Sequence, residues 1–215
     1  MKKLHFIILS IFFLFFSCKK DETEKMMVSG QVETPASELT STADVMVKLY
    51  AQKITSGTWN TSYSLVTSQK TNINGQFSLS FDAIRASAYR IEFKKDKYFD
   101  IVSDLDASKV VKGQNYVVNY EILPEAYLRL NIINTSPFNS LDKMNYYFSN
   151  AVTSECSDTT TSYYGTLVND YKICKVYGGQ EIQLNWNVRK NNQVNVYNAM
   201  IYVTPFDTTI YNLFY

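Results

Sequence analysis

Apolar and polar side chains alternate along most of this chain. Val28, Gly30 and Val32 alternate with Ser29, Gln31 and Glu33, and Val45, Val47, Leu49 and Ala51 alternate with Asp44, Met46, Lys48 and Tyr50. The same period returns at Phe77, Leu79 and Phe81, at Tyr89, Ile91 and Phe93, and at Tyr116, Val118, Tyr120 and Ile122. Successive side chains of a strand point to opposite faces, so each segment reads as a half-buried antiparallel strand. No stretch of comparable length carries a 3.6-residue period. Asn74-Gly75 falls between segments 64–72 and 76–82. Both residues tolerate positive φ, which predicts a hairpin there.

The pattern breaks at Leu123-Pro124-Glu125, because proline cannot donate to a strand ladder. It resumes at Leu128, Leu130 and Ile132, at Ile182, Leu184, Trp186 and Val188, and over 194–204 and 209–215. Residues 154–166 are rich in Ser, Thr and Tyr and read as a long loop held near its start by Cys156. The predicted fold class is all-β: two consecutive antiparallel β-sandwich domains, residues 27–123 and 124–215. Each is of a size at which a single core is feasible.

The amino-terminal end breaks the period-two pattern. Lys2 and Lys3 precede residues 6–16, which are apolar except for Ser10. A helix needs about 20 apolar residues to span a bilayer, so this run has the length of a secretory signal and not of a transmembrane anchor. Phe15-Phe16-Ser17-Cys18 resembles a bacterial lipobox; Ser17 and Cys18 match, while Phe15 and Phe16 stand where Leu and a small residue are usual. The resemblance implies a signal peptide over 1–17, with lipidation of Cys18. Two or more acyl chains suffice for stable anchoring, so the membrane is an expected partner through lipid at Cys18. Residues 19–25 include six charges and no apolar side chain, which makes 18–26 a disordered tether. Residues 19–22 also resemble the surface-export signal of Bacteroidetes lipoproteins. That resemblance implies an outer-membrane protein exposed at the cell surface; a periplasm-facing one is the alternative.

Composition removes several chemistries. Without residues 1–17, the chain keeps 19 of its 21 basic residues and all 20 acidic ones, for a net charge of −1. Nucleic acid is not an expected partner, since a phosphate-binding surface needs a basic excess or stripe. The single histidine, His5, falls in the signal. The usual serine–histidine and cysteine–histidine nucleophiles and histidine-ligated metals therefore have no residues to build on. No metal and no cofactor is expected. Of three cysteines, Cys156 and Cys174 remain after Cys18, and outside the cytoplasm such a pair is most simply a disulfide.

The first group of strands also carries a family likeness. Gly30-Gln31-Val32, the alternating valines of 43–50, Thr71-Asn72-Ile73-Asn74-Gly75-Gln76-Phe77 and Tyr89-Arg90-Ile91-Glu92-Phe93 resemble the carboxypeptidase regulatory-like, transthyretin-like sandwich. Asn72 replaces its common Asp. The resemblance implies a spacer, rigid module or partner-binding domain. The histidines on which the family's hydrolases depend are absent here.

Asp104, Asp106 and Ser108 begin like a calcium loop, but Lys109 and Asn115 occupy the positions that need Gly and Glu. Lys48, Glu92 and Asn119 are the residue types of an internal Lys–Asn isopeptide bond, but the alternation puts them on polar faces. Tyrosines cluster as Tyr146-Tyr147, Tyr163-Tyr164 and Tyr197, Tyr202, Tyr211 and Tyr215. Neighbours on a strand face opposite sides, so Tyr163 or Tyr164 is a candidate ligand contact, because an aromatic face offers apolar area with a polar tip. The expected function is a non-enzymatic binding or structural module with no catalytic residues, for a glycan or an envelope protein. Two alternatives are a carboxylate-dependent glycan-active enzyme and an accessory subunit of a fimbrial or nutrient-uptake envelope complex.

Overall fold

The computed structural model describes residues 25–35, 39–55, 58–59, 61–150 and 153–215. The predicted signal, Cys18 and the charged segment up to Glu24 lie outside the described residues. Lys25 and Met26, assigned to the tether by charge, instead open the first strand, and Met26 is buried in its core.

Among the described residues, nine strands build the first unit: β1 (Lys25–Glu33), β2 (Met46–Thr55), β3 (Thr58–Trp59), β4 (Ser64–Lys70), β5 (Gln76–Asp82), β6 (Ala86–Lys94), β7 (Ile101–Leu105), β8 (Asn115–Val117) and β9 (Tyr120–Glu121). One sheet runs β5-β1-β8, with β9 also on β1; the other runs β3-β2-β6-β7, with β4 also on β2. The period-two residues of both sheets meet between them. Val28, Leu49, Leu79, Ile91 and Phe93 are 0–1% exposed. The Phe93 ring packs between Phe77 at 5.5 Å and Tyr120 at 4.7 Å. Each such side chain taken from water contributes about 1.5–3 kcal/mol.

The hairpin expected at Asn74-Gly75 does not form. β4 pairs with β2 and β5 with β1, so the turn carries the chain from one sheet to the other. Long-range contacts of the turn account for this. The Thr71 hydroxyl is buried and accepts the Val45 N–H at 2.9 Å. The Val32 N–H donates to the Gly75 carbonyl at 2.9 Å. The turn is therefore fastened to both sheets at once. Gly75, at φ 75°, is the residue in the left-handed region, and Asn74 is not.

The segment 116–122, read as one strand, is split into β8 and β9, both parallel to β1. Between them the Val118 carbonyl arches over Gly30. A Cβ on Gly30 would lie 1.6 Å from that oxygen. The Val118 N–H donates to the Ser29 carbonyl and the Gln31 N–H to the Asn119 side chain.

The second unit comprises β10 (Glu125–Ile133), β11 (Lys143–Phe148), β12 (Thr161–Tyr164), β13 (Asn169–Tyr177), β14 (Gln180–Lys190), β15 (Gln193–Val203) and β16 (Thr208–Phe214). A three-stranded sheet, β13-β10-β16, packs over a four-stranded one, β12-β11-β14-β15. β10 and β16 are parallel; the other pairs are antiparallel. Part of the predicted loop 154–166 is the strand β12. β13 carries no alternation in its first half, where five successive residues are exposed, and this hid it from the sequence pattern.

Two buried clusters result, one from Met26 to Ile122 and one from Ala126 to Leu213. The junction between them is fastened rather than loose. The Leu123 carbonyl accepts from the Phe99 N–H, the Pro124 carbonyl from the Gly178 N–H, and the Glu125 N–H donates to the Lys97 carbonyl. Tyr98 packs edge-on against Phe206 at 5.3 Å, and Phe99 against Tyr177 at 4.5 Å. Among the described residues, no helix is long and apolar enough to cross a membrane.

Cys156 and Cys174 are joined as a disulfide with their Cα atoms 5.5 Å apart, and both are 1% exposed. The bond ties the segment between β11 and β12 to β13. Their separation is 18 residues, and closing a loop of that order stabilises by about 3 kcal/mol on the chain-entropy account. Reduction, or C156A/C174A, is expected to lower stability by about that amount, read from urea unfolding with the midpoint and slope fitted for each form, because the freed unfolded chain exposes more surface. A loss below about 1 kcal/mol would show that the unfolded chain is already constrained there.

Candidate functional site

The tyrosines singled out by sequence separate in the structure. Tyr163 points inward, stacked on Tyr146 at 6.4 Å, and its hydroxyl donates to Asp170 at 3.0 Å. Burial, and then the bond to Asp170, push its phenol well above the usual range. Tyr164 points outward and is 65% exposed, with the Lys143 ammonium 5.1 Å from its ring centroid. A hydrogen bond from Lys143, another from Ser162 and the lysine charge hold the Tyr164 phenol below its ordinary value. These two neighbours therefore do not share a site.

The other sequence candidates do not converge either. Asp104 pairs with Arg90 at 2.8 Å, and Asp106 accepts the Ser108 N–H at 3.0 Å and its hydroxyl at 2.6 Å. Those bonds hold both carboxyls below their usual range, the Arg90 bond first for Asp104 and the Ser108 hydroxyl first for Asp106. Lys48 faces Glu92 across β2 and β6, while the Asn119 side chain caps β1 in the opposite sheet. Among the described residues, no group of three His, Cys, Asp or Glu side chains is placed to hold a metal.

What does converge is an aromatic cleft at the open side of the second unit. β14 and β15 are eleven residues each, but β16, which faces them from the other sheet, has seven. The inner face of the longer hairpin therefore outruns its cover. Along β15 the inward residues pass from Val203 and Ile201, both buried, to half-buried Ala199 and then to Tyr197 at 44% exposed. The uncovered end is a cleft of ≈ 290 Å³ lined by Trp186, Val188, Lys190, Asn195, Tyr197 and Tyr215, with Phe214 at its rim.

The geometry of this cleft is set by ring packing. Trp186 stacks on Tyr197, with centroids 5.5 Å apart and planes at 19°. Tyr211 meets Trp186 edge-on at 6.3 Å. The Lys190 ammonium donates to the Asn134 side chain at 2.8 Å and to the Ser136 carbonyl at 2.6 Å, and lies 5.1 Å from the Tyr215 ring centroid. The Tyr215 hydroxyl is buried without a hydrogen-bond partner among the described residues. Its burial, followed by the charge of Asp142, pushes it up to about 12.

Aromatic faces beside a fixed ammonium and a carboxamide suit a ligand with apolar C–H faces and polar edges. Among the described residues, those that line the cleft include no Asp or Glu. The sequence groups Tyr197, Tyr202, Tyr211 and Tyr215, of which Tyr202 faces outward, and its alternation sets Trp186 in an apolar register without marking it as a site residue. The usable signal is a bulky aromatic on the inward register, four residues before Lys190 on the same face of β14.

No protein-family model matches this sequence. No curated protein matches it by sequence. Among solved structures, it is similar to the Bacillus anthracis TIE protein at 10% identity and a TM-score of 0.37, over 89% of this chain and 34% of that one. The chain thus spans about a third of that protein's length. It is also similar to a mutant of the shaft pilin SpaA from Lactobacillus rhamnosus GG, at 10% identity and a TM-score of 0.31, over 88% of this chain and 96% of that one. A Streptococcal ancillary pilin has 11% identity and a TM-score of 0.31, over 90% of this chain and 63% of its own. At scores this low the likenesses bear on neither ligand nor partner, and the all-β assignment rests on the strands themselves.

Proposed function

We propose that this chain is a lipid-anchored binding module of the bacterial outer membrane that takes the end of a glycan in the aromatic cleft of its second unit. The observation that carries the reading is the stacked Trp186–Tyr197 pair, with Tyr211 behind it and Lys190 and Asn195 at the edges of the same cleft. A sugar ring has the matching chemistry: C–H faces for the indole and phenol, hydroxyls for the amide and the ammonium. The cleft lies at the small end of the range for ligand pockets, which fits one or two rings and not a long chain.

The anchor is the acylated thiol at Cys18, with the first unit as a carboxypeptidase regulatory-like spacer of the Bacteroidetes type. The two units act as domains on a stiff junction, which holds the cleft away from the bilayer. Surface exposure follows from the charged residues after Cys18. Binding without turnover fits a cleft lined by no acid.

Titration calorimetry of the full-length protein in detergent against bacterial and host oligosaccharides tests the ligand. Trp186→Ala is expected to weaken binding at least tenfold, the loss of roughly 1.4 kcal/mol or more of aromatic contact. Tyr164→Ala is expected to leave affinity within twofold. The reading falls if no oligosaccharide binds, or if both substitutions act alike. Labelling with palmitate in cells tests the anchor separately, with Cys18→Ser expected to lose the label.

A further inference from the structure

β15 is the longest edge strand among the described residues, and it has none of the usual edge protections. It ends its sheet, runs for eleven residues and carries no charge and no proline. Its register with β14 is unbroken from Gln180↔Val203 to Lys190↔Gln193, so no bulge twists it away. Soluble proteins blunt such edges with charge, proline, bulges or short strands. Most other edges here follow that rule: β4 carries Lys70, β5 Asp82, β7 Asp104, and β13 Asp170, Lys172 and Lys175, whereas β16 is uncharged but has only seven residues. β12 is only four residues long.

The backbone of β15 has a fixed parity. The two-residue turn Asn191-Asn192, with φ of 49° and 61°, closes the hairpin on the pair Lys190↔Gln193. A two-residue loop of this kind is closed by a hydrogen-bonded pair. Odd-numbered residues of β15 therefore turn their N–H and C=O groups to β14. Val194, Val196, Asn198, Met200 and Tyr202 turn theirs to the open edge and their side chains to the outer face. All five are exposed, Val196 at 78% and Met200 at 51%.

We infer that β15 is a self-association edge, through which two copies of this chain pair antiparallel about a two-fold axis at Asn198 and join their four-stranded sheets into one. An axis through any residue sets even-numbered residues opposite even-numbered ones, so their outward N–H and C=O groups meet. Asn198 is the midpoint of Gln193–Val203, so an axis there gives the greatest overlap, with Asn198 as the central hydrogen-bonded pair. In that register Val194 faces Tyr202 of the partner subunit, Val196 faces Met200 of the partner subunit, and Asn198 faces its own counterpart. Apolar groups meet apolar groups, and the two carboxamides are mutual donor and acceptor. About ten backbone hydrogen bonds form across the axis. A foreign strand would satisfy the backbone; the two-fold side-chain match is what points to a second copy. Pairing about a two-fold axis uses up both edges and closes the assembly. The inference does not rest on the ligand reading: the β15 residues that line the cleft, Asn195 and Tyr197, are on the inward register, and the pairing uses the outward one.

Sedimentation equilibrium of the full-length protein in neutral detergent tests the inference. Wild type is expected at twice the single-chain mass. V196K/M200K sets lysines opposite each other in both halves of the interface and is expected to weaken association at least tenfold, with unchanged circular dichroism because both positions are exposed. V196K/M200E sets opposite charges there and is expected to keep the dimer. Asn198→Cys brings like residues to about 5.5 Å between Cα atoms, within disulfide range, and is expected to cross-link two chains on oxidation. A monomeric wild type, a foreign polypeptide held on the edge, or a lysine pair that dimerises like wild type overturns the inference. So does a V196K/M200E variant as weak as the double lysine, or an Asn198→Cys chain that stays uncross-linked.

Discussion

Replacing Gly30 by alanine is expected to destabilise the first unit by roughly 3 kcal/mol or more, at the upper end for overpacking a filled core. The added methyl would sit 1.6 Å from the Val118 carbonyl oxygen and 2.7 Å from its carbon. Both are backbone atoms, so no rotamer change relieves the clash. The chain between β8 and β9 has to lift off β1. That lift breaks the bonds from Val118 to Ser29 and from Gln31 to Asn119, and it exposes Tyr120, which packs on Phe93. The two tryptophans, Trp59 and Trp186, fall one in each unit, so urea unfolding followed by fluorescence in Trp59→Phe and Trp186→Phe backgrounds separates the two. The first unit is expected to unfold at much lower urea. A midpoint shift worth less than about 1 kcal/mol would show that the 118–119 arch is not needed for the fold.

Asp142 provides the second large effect. It is 0% exposed, and its carboxylate accepts the Phe138 N–H at 2.8 Å, the Asn139 N–H at 3.2 Å and the Asn134 carboxamide at 3.2 Å. Lys190 reaches the same network through Asn134. Burial acts to raise the Asp142 pKa, but these three bonds and the Lys190 charge outweigh it and hold the carboxyl below its usual range. Asp142→Asn puts an NH₂ group against backbone donors and is expected to cost roughly 2–4 kcal/mol, since hydrogen bonds to a charged group are lost and buried donors are left unmet. The pH dependence has a definite sign. A folded-state pKa below the unfolded value of about 3.9 means that the stabilisation is complete above that pH and fades as pH falls from about 4 toward the folded pKa. Wild type and Asp142→Asn should therefore differ most at neutral pH and converge in acid. A difference that stays constant from pH 7 to pH 2 would remove the carboxylate from the account.

Alternation was legible because it is local. The residues at Val28–Val32, Tyr89–Phe93 and Leu128–Ile132 record which face of each strand is dry, and the buried clusters contain them. Pairing was not legible in the same way. Asn74-Gly75 has the composition of a hairpin turn, yet it joins two sheets, because Thr71 and Gly75 bind Val45 and Val32, residues far away in sequence. Likewise β12 lay inside a segment too polar to look like a strand; its ladder with β11 supplies what its side chains do not.

The cleft divides in the same manner. Alternation places Trp186 on the inward register and sets Tyr163 and Tyr164 on opposite faces. Whether an inward residue is covered depends on the strand opposite, and here β16 is shorter than the hairpin it faces. Sequence alone determined the all-β class and the faces of most strands. Tertiary structure alone decided which strands pair, which tyrosine meets water and where an aromatic wall is left open. Side-chain polarity is written residue by residue, whereas pairing and coverage depend on the relative lengths and contacts of strands distant in the chain.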